Sequence, residues 1–400
     1  VKSGQVNLAV FDSSGIDINE AVRRVLSLPT VANKTFLITI GDRTITGLVH
    51  RDQMIGPWQV PVADAAVTST SYNYYTGEAM SMGERTPLAL FDAAASGRMA
   101  IGEAITNIAS SAIDKIGDIK LSANWMVAAG HGHEDAKLYA TVEAVGMELC
   151  PQLGICIPVG KDSMSMRTVW NDGDKRRSNT APLSLIVSAF APVSDIRKTS
   201  TPQLQKNSNQ STLLFIDLGH SKNRLGGSAL AQVYRQLNAE VPDLDDAVDL
   251  KNLFAFIQRC RQDDLILAYH DRSDGGLITT VVEMCFAGHC GVDLQLQGLA
   301  EESSFISSLF AEELGVVIQV NDEQLEVVTA LALEHHLKSC FHVIGKLNQS
   351  DSIRISIGEK QFFSSGRVEL QRTWSETTYH MQSMRDSSDC AKEEFDQILQ

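Results

Sequence analysis

The chain has 400 residues, 44% hydrophobic and 21% charged, the composition of an ordinary globular protein too long for a single core. Its net charge of −15 excludes a surface built for nucleic acid or an anionic membrane, and no apolar run approaches the ~18 residues of a membrane span. Seven cysteines without a C-x-x-C spacing argue against a disulfide framework or a structural zinc site; with no signal-peptide pattern, they point to the cytoplasm.

The opening VKSGQVN, without an initiator Met, reads as that of a piece of a longer polypeptide. Val6 to Phe11 predicts a short strand, and Asp17 caps a helix through NEAVRRVLSL that Pro29 ends. Phe36 to Ile40 and Thr44 to Val49 predict a hairpin turning at Gly41, Asp42 and Arg43, with Lys34 at its foot. Asp64 stands immediately before an Ala/Val/Thr strand in PVADAAVTST, and strand ends are where ligands are usually met.

Thr86 to Ser110 is the stretch the chain is organised around. Thr86-Pro87 predicts a helix N-cap and first turn, and Glu103 and Asn107 fall four apart, on one face. On a mostly apolar face, a carboxylate and an amide carbonyl are two hard oxygen ligands suited to a divalent cation. A solvated polar pair on an amphipathic helix is the competing reading.

Trp125 falls in a strand, and HGHEDAKLYATVEAVGMEL keeps helical period up to Cys150-Pro151. His131 and His133 have no third nitrogen or sulfur ligand nearby, so they read as a loop and helix cap. GICIPVG is β-prone, GKDSMSM lacks the Walker spacing, WNDGDKRRS is a polar turn and LSLIVSAFAPV a strand. The Ser/Thr/Gln/Asn-rich run from Lys198 to Ser211 marks a domain boundary. Beyond it strands (TLLFIDLG, LILAYH, ELGVVIQV, FHVIGKL) alternate with helices, which argues a mostly parallel or mixed sheet. Gly226 to Ser228 opens one of those helices. DRSDGG opens another, offering backbone N–H groups to an anion or simply permitting close packing. The tail from Ser383 is acidic and weakly helical.

Together and in this order, VPVADAAVT, GEAITN, VGKDSMSM and HDRSDGGL resemble the large single-chain phosphoribosylformylglycinamidine synthases of purine biosynthesis, over nearly the whole chain. The match is to the second of two aminoimidazole-ribonucleotide (AIR)-synthetase-like halves. The resemblance implies an α/β (α+β) fold in two parts. A barrel-forming N-terminal α/β domain would occupy 1–192 and a C-terminal α/β sandwich domain 213–375, with a linker over 193–212. An acidic connector over 376–400 would lead to a glutaminase domain. For the complete enzyme it implies a carbon–nitrogen ligase, amidinating formylglycinamide ribonucleotide with ATP and with ammonia from glutamine.

Carried over residue by residue, the resemblance assigns Asp64, Glu103, Asn107 and Asp271 to Mg²⁺, with Ala63 and Ser273 touching ATP or ADP and Lys34 near its phosphates. Three carboxylates and a carbonyl suit Mg²⁺, and cations lying between would let so acidic a chain hold a polyphosphate. The first half and a Cys-His-Glu glutaminase have no counterpart in the sequence, so no catalytic residue is assigned. The isolated chain is expected to be inactive and to hold its nucleotide at an auxiliary site. The implied partners are the first half and the glutaminase domain of the same chain, or a second copy in a homodimer. Two alternatives stand beside this reading, a non-catalytic nucleotide-holding module and a stand-alone small-molecule kinase of the same superfamily.

Overall fold

The structure, a computed structural model, describes residues 9–41, 43–44, 47–206, 210–237 and 239–400. Its elements in chain order are α1 (Ile18–Leu26), α2 (Thr35–Ile38), β1 (Val49–Arg51), β2 (Ala66–Ser69), β3 (Gly77–Glu84), α3 (Ala93–Ile108), β4 (Lys120–Met126), α4 (Glu134–Val142) and α5 (Cys150–Leu153). They continue with β5 (Cys156–Ser163), β6 (Arg167–Asp172), β7 (Lys175–Thr180), β8 (Ser184–Val193), β9 (Ser211–Asp217), α6 (Ala229–Val233), α7 (Ala247–Gln262), β10 (Ala268–Asp271) and α8 (Gly276–Gly288). The last are β11 (Gly291–Gln295), α9 (Phe305–Phe310), β12 (Gly315–Asn321), α10 (Leu325–Glu334), β13 (Phe341–Asn348), β14 (Ser352–Ile357), β15 (Lys360–Gly366), α11 (Arg367–Arg385) and α12 (Ser388–Gln397).

Two open sheets organise the chain. The first runs β1-β2-β3-β8-β4-β5, antiparallel except for the parallel pair β4·β5. The second runs β10-β12-β9-β13-β11-β14-β15 and is mixed, with one parallel pair, β11·β14. Period-two alternation decides which faces are covered. In β3 the odd positions from Gly77 to Gly83 are buried against α3, while Glu78, Met82 and Glu84 face outward. The second sheet is covered on both faces, so β9 is buried at every position. Leu214 and Ile216 join the core that α3 and α7 complete, and Leu213 and Phe215 join the one that α1, α8 and Trp374 of α11 complete.

α3 is docked twice, and both contacts bear on the site. On the first sheet, a Cβ at Gly83 would meet the Ala100 carbonyl at 2.1 Å and the Ala104 nitrogen at 2.5 Å, so strand and helix touch backbone to backbone there. On the second sheet, the hydroxyl of Tyr269 in β10 donates to the Thr106 carbonyl. The helix that carries Glu103 is thereby held against the strand that ends in Asp271.

Several expectations from sequence change. Half of the strand expected over Val6–Phe11 falls outside the described residues, and Ala9 to Phe11 are irregular. The expected hairpin is absent where described: Thr35–Ile38 is a helical turn and β1 begins only at Val49, with residues 42, 45 and 46 outside the description. Thr86 and Pro87 sit in a 3-10 turn, and α3 starts at Ala93, capped by the Asp92 carboxylate accepting from Ala95 N. GKDSMSM largely extends β5, and WNDGDKRRS belongs to the β6–β7 hairpin. At the tail, α11 runs unbroken past position 376 and α12 packs against it. Among the described residues no helix is long and apolar enough to cross a membrane.

Candidate functional site

The C-terminal end of β10 meets the loop before β2 and the inner turns of α3. Asp64 is buried, and its Oδ1 accepts from His270 Nδ1 at 2.7 Å and from the Asp271 backbone nitrogen at 3.1 Å. One ligand atom each from Asp64, His270 and Asp271 lie within 4.8 Å of one another. Asp64 Oδ2 and Asp271 Oδ2 are buried and have no hydrogen-bond partner. Those two oxygens are the chemical signature of the site, because a buried acceptor left unmade costs ~1–3 kcal/mol, and more when it is charged.

His270 is held from both sides, its Nε2 lying 3.0 Å from Glu283 Oε2. Burial works against the imidazolium, but Asp64 and Glu283 override it and raise the His270 pKa well above its ordinary value. Burial and the Asp64 charge likewise push the Asp271 carboxyl well above the carboxylate range, with His270 pulling the other way. Glu103, five residues before the end of α3, accepts from the Glu84 backbone nitrogen at 2.7 Å and from the Ser273 hydroxyl. Burial pushes its carboxyl up to about 7 against the pull of the Arg85 guanidinium 4.0 Å away.

Lys34, Asp271, Ser273, His270 and Glu283 line a cleft of ≈160 Å³ beside this cluster. Lys34 Nζ donates to the Thr30 and Ala32 carbonyls, at 2.7 and 2.9 Å, and burial lowers its pKa against the pull of Glu283 and Asp274. Asn107 shares the Glu103 face of α3, with its Nδ2 turned to the Met82 carbonyl at 3.1 Å. Ala63 precedes Asp64 as a half-buried residue packed on the α1–α8 core. The structure therefore brings Asp64, Asp271, Glu103, Ser273 and Lys34 together; it ties Asn107 to β3 rather than to the acids.

The Gly-rich turn after β10 has an internal occupant. Glu312 Oε1 accepts from Gly275 N at 2.7 Å, at the start of α8, and from Ala229 N at 2.8 Å, at the start of α6. Arg85 closes the arrangement, pairing with Glu312 at 2.6 Å and Asp274 at 2.9 Å. Gly275 and Gly276 both take positive φ, 84° and 74°, and a Cβ at Gly276 would meet the Leu309 carbonyl at 2.7 Å. This turn is thus fixed by the protein's own carboxylate.

Residues 33–192 match the family model described as the FGAR-AT PurM_N-like domain, and residues 214–358 match the AIR synthase related protein C-terminal domain. The chain belongs to the AIR-synthase-related proteins through these two domains. Thermotoga maritima PurL complexed with FGAR superimposes with a TM-score of 0.63 at 10% identity, over 89% of this chain and 53% of that one. T. maritima PurL complexed with ATP gives 0.56 at 13% identity, over 88% of this chain and 49% of that one. E. coli HypE, a hydrogenase maturation protein, gives 0.50 at 20% identity, over 76% of this chain and 91% of that one. At these identities the likeness is one of fold, and the chain spans about half the length of the PurL chains it matches.

The sequence reading missed His270, Glu283, Arg85 and Glu312. A signal existed for Glu283, the one charged residue in the otherwise apolar helix GLITTVVEMCFAG. Arg85 and Glu312 carried none, because they meet each other across 227 residues and their remaining partners are also distant in sequence or backbone groups.

Proposed function

We propose that this chain holds a Mg²⁺–nucleotide as one half of a phosphoribosylformylglycinamidine synthase. The observation that carries the reading is the pair of buried, unpartnered carboxylate oxygens, Asp64 Oδ2 and Asp271 Oδ2, beside a cleft that also presents Lys34 and Ser273. The donor set fits Mg²⁺: hard oxygens, too few to form a closed cage, with phosphate oxygens and water left to complete it. Asp64, Glu103 and Asp271 would hold the ion, and Asn107 would offer its remaining carbonyl oxygen. When bound, Mg²⁺ supplies positive charge to phosphate oxygens and neutralises the acids around it.

The protein's own residues do the positioning. His270, clamped between Asp64 and Glu283, fixes the Asp64 carboxylate so that Oδ2 points away from its hydrogen bonds. Ser273 holds Glu103, and Lys34 would meet a phosphate by exchanging its carbonyl partners. Ala63 would pack against the nucleotide. In the complete enzyme the reaction is the ATP- and glutamine-dependent amidination of formylglycinamide ribonucleotide, and T. maritima PurL complexed with FGAR and with ATP supports that class. The site in this half is auxiliary, holding ATP or ADP without turnover.

The outer face of the first sheet supports a partner, since Met82, Phe190 and Val159 are 58, 43 and 62% exposed on β3, β8 and β5. The first synthetase half fits there in the full enzyme, and a second copy in its absence. The domain limits 1–192 and 213–375, the glutaminase beyond the acidic tail and a cytoplasmic setting belong to the same proposal. The test is calorimetric titration of ADP with and without Mg²⁺, joined to an assay for amidine from ammonia, formylglycinamide ribonucleotide and ATP. Mg²⁺-dependent binding without product is expected; steady product from the purified chain would overturn the auxiliary reading. A stand-alone small-molecule kinase is the second reading; the match that covers 91% of HypE supports only that a two-part unit of this fold can make up nearly a whole chain. Sustained ATP turnover with a small hydroxyl or carboxylate acceptor would select it.

A further inference from the structure

A second cleft, of ≈440 Å³, opens between β1, the segment 197–205 that joins the two sheets, and the end of α7. Arg51, Arg197, Lys198 and Arg261 face it, with Asp264 as the one acid among its lining residues. In a chain of net charge −15 that is a local reversal of sign. Arg197 is paired with Asp195 at 2.7 Å and Lys198 with Asp264 at 3.1 Å. Arg51 and Arg261 make no ion pair among the described residues, so four cations against two carboxylates leave two charges uncompensated.

Arg261 is the telling residue. It is 4% exposed, and its terminal nitrogens donate to the carbonyls of Ala109, Ser110 and Lys198 and to Ser200 Oγ. Two of those carbonyls end α3, so the guanidinium caps that helix and meets its partial negative charge, about half an elementary charge. That offsets only part of a full cation, and burial lowers the Arg261 pKa to about 10. Arg261 Nε is buried with no partner, and so is Arg51 Nε. The cost of two buried, unmade donors on two unpaired cations is of the kind a bound anion removes.

We propose that this cleft binds a tetrahedral oxyanion, a phosphate or phosphomonoester dianion. Two negative charges match the two uncompensated cations that line the cleft, and a small turn of either guanidinium would give its unmade Nε–H to an oxyanion acceptor. Ser200, whose oxygen accepts from Arg261, keeps its own O–H to donate, and Thr201 and Gln203 add polar groups on the same wall. The volume exceeds one phosphate and leaves room for a small organic group. A ligand there joins β1 of the first sheet to the connecting segment and to α7 under the second, so its binding stiffens the junction of the two parts.

The test uses the whole chain in EDTA, without nucleotide, titrated by calorimetry and ³¹P line broadening with inorganic phosphate and, separately, with glycerol 3-phosphate, against sodium chloride at matched ionic strength. Saturable one-to-one binding of either oxyanion is expected, with the stronger of the two naming the source. Arg51→Gln should weaken it about ten-fold or more, the effect of removing one charge-assisted bond, and Lys198→Gln should weaken it less. Lys198→Gln, on an exposed side chain, stands as the second variant should Arg51→Gln disturb β1. No saturation beyond the chloride control, or wild-type affinity in the folded variants, would overturn the proposal.

Discussion

Asp271→Asn should stabilise the empty protein and abolish its response to Mg²⁺–nucleotide. The side chain has two large electrostatic neighbours, His270 Nδ1 at 3.9 Å and the Asp64 carboxylate within 4.8 Å. At an effective dielectric constant of about 20 each interaction of the ionised group is worth roughly 3–4 kcal/mol, with opposite signs, so the two nearly cancel and burial, the first cause of the raised Asp271 pKa, is left opposing the ionised form. What remains is Oδ2, buried and unmade, a cost of about 1–3 kcal/mol. Asparagine keeps the shape, cannot ionise and brings an N–H₂ donor beside Asp64, whose Oδ2 is also unpartnered. The empty variant should therefore melt about 1–4 °C above wild type, given the entropy of unfolding of a chain this long. A ligand at a hundred times its Kd adds about 2.7 kcal/mol to a protein that binds it only when folded. Wild type should gain that from Mg²⁺–ADP and the variant should not, so the two melting curves exchange order as ligand is added. Differential scanning fluorimetry over a Mg²⁺–ADP series reads both effects. An empty variant melting below wild type, or an equal ligand shift in both proteins, would refute the reasoning.

Gly83→Ala should lower stability by more than about 2 kcal/mol and weaken Mg²⁺–ADP binding too, because its Cβ meets α3 backbone one residue from the Glu84 nitrogen that orients Glu103; urea melts and calorimetry check the pair. Trp374→Ala, which empties a buried indole and deletes its bond to the Val31 carbonyl at 2.8 Å, should cost about 3–5 kcal/mol in urea. His289 stacks on Trp58 at 3.9 Å, and burial pulls its pKa from 6.5 down to about 4. Its neutral form is the folded one, so its contribution to stability is complete above pH 6.5 and is lost as pH falls through about 4. Melts of wild type and His289→Gln between pH 7 and 4 should show a shallower acid slope in the variant.

The acids at the site were legible because each sits where local sequence fixes it. Asp64 precedes a β-prone run, Asp271 ends one, and the four-residue spacing sets Glu103 and Asn107 on one face of α3. What spacing does not fix is the use of each group, and Asn107 turned its amide to Met82 rather than to the acids. The larger misreading lies at Thr35–Ile38, where β-prone residues form a helical turn. There Asn33 takes the Thr35 backbone nitrogen on its side chain, and Asn33 is itself fixed by Trp374 and Thr378 of α11. A contact across more than three hundred residues overrides local propensity. The helix that makes it was hard to read for a related reason. Its buried stripe, Leu370, Trp374, Thr378 and Gln382, keeps a four-residue spacing, but half of it is polar. Thr378 is polar because it donates to the Asn33 carbonyl and Gln382 because it reaches Glu394 of α12. The same residues that hide the helix from a hydrophobic-pattern reading lock the N-terminal segment beside Lys34, so the cleft that presents Lys34 to Asp271 depends on the far end of the chain.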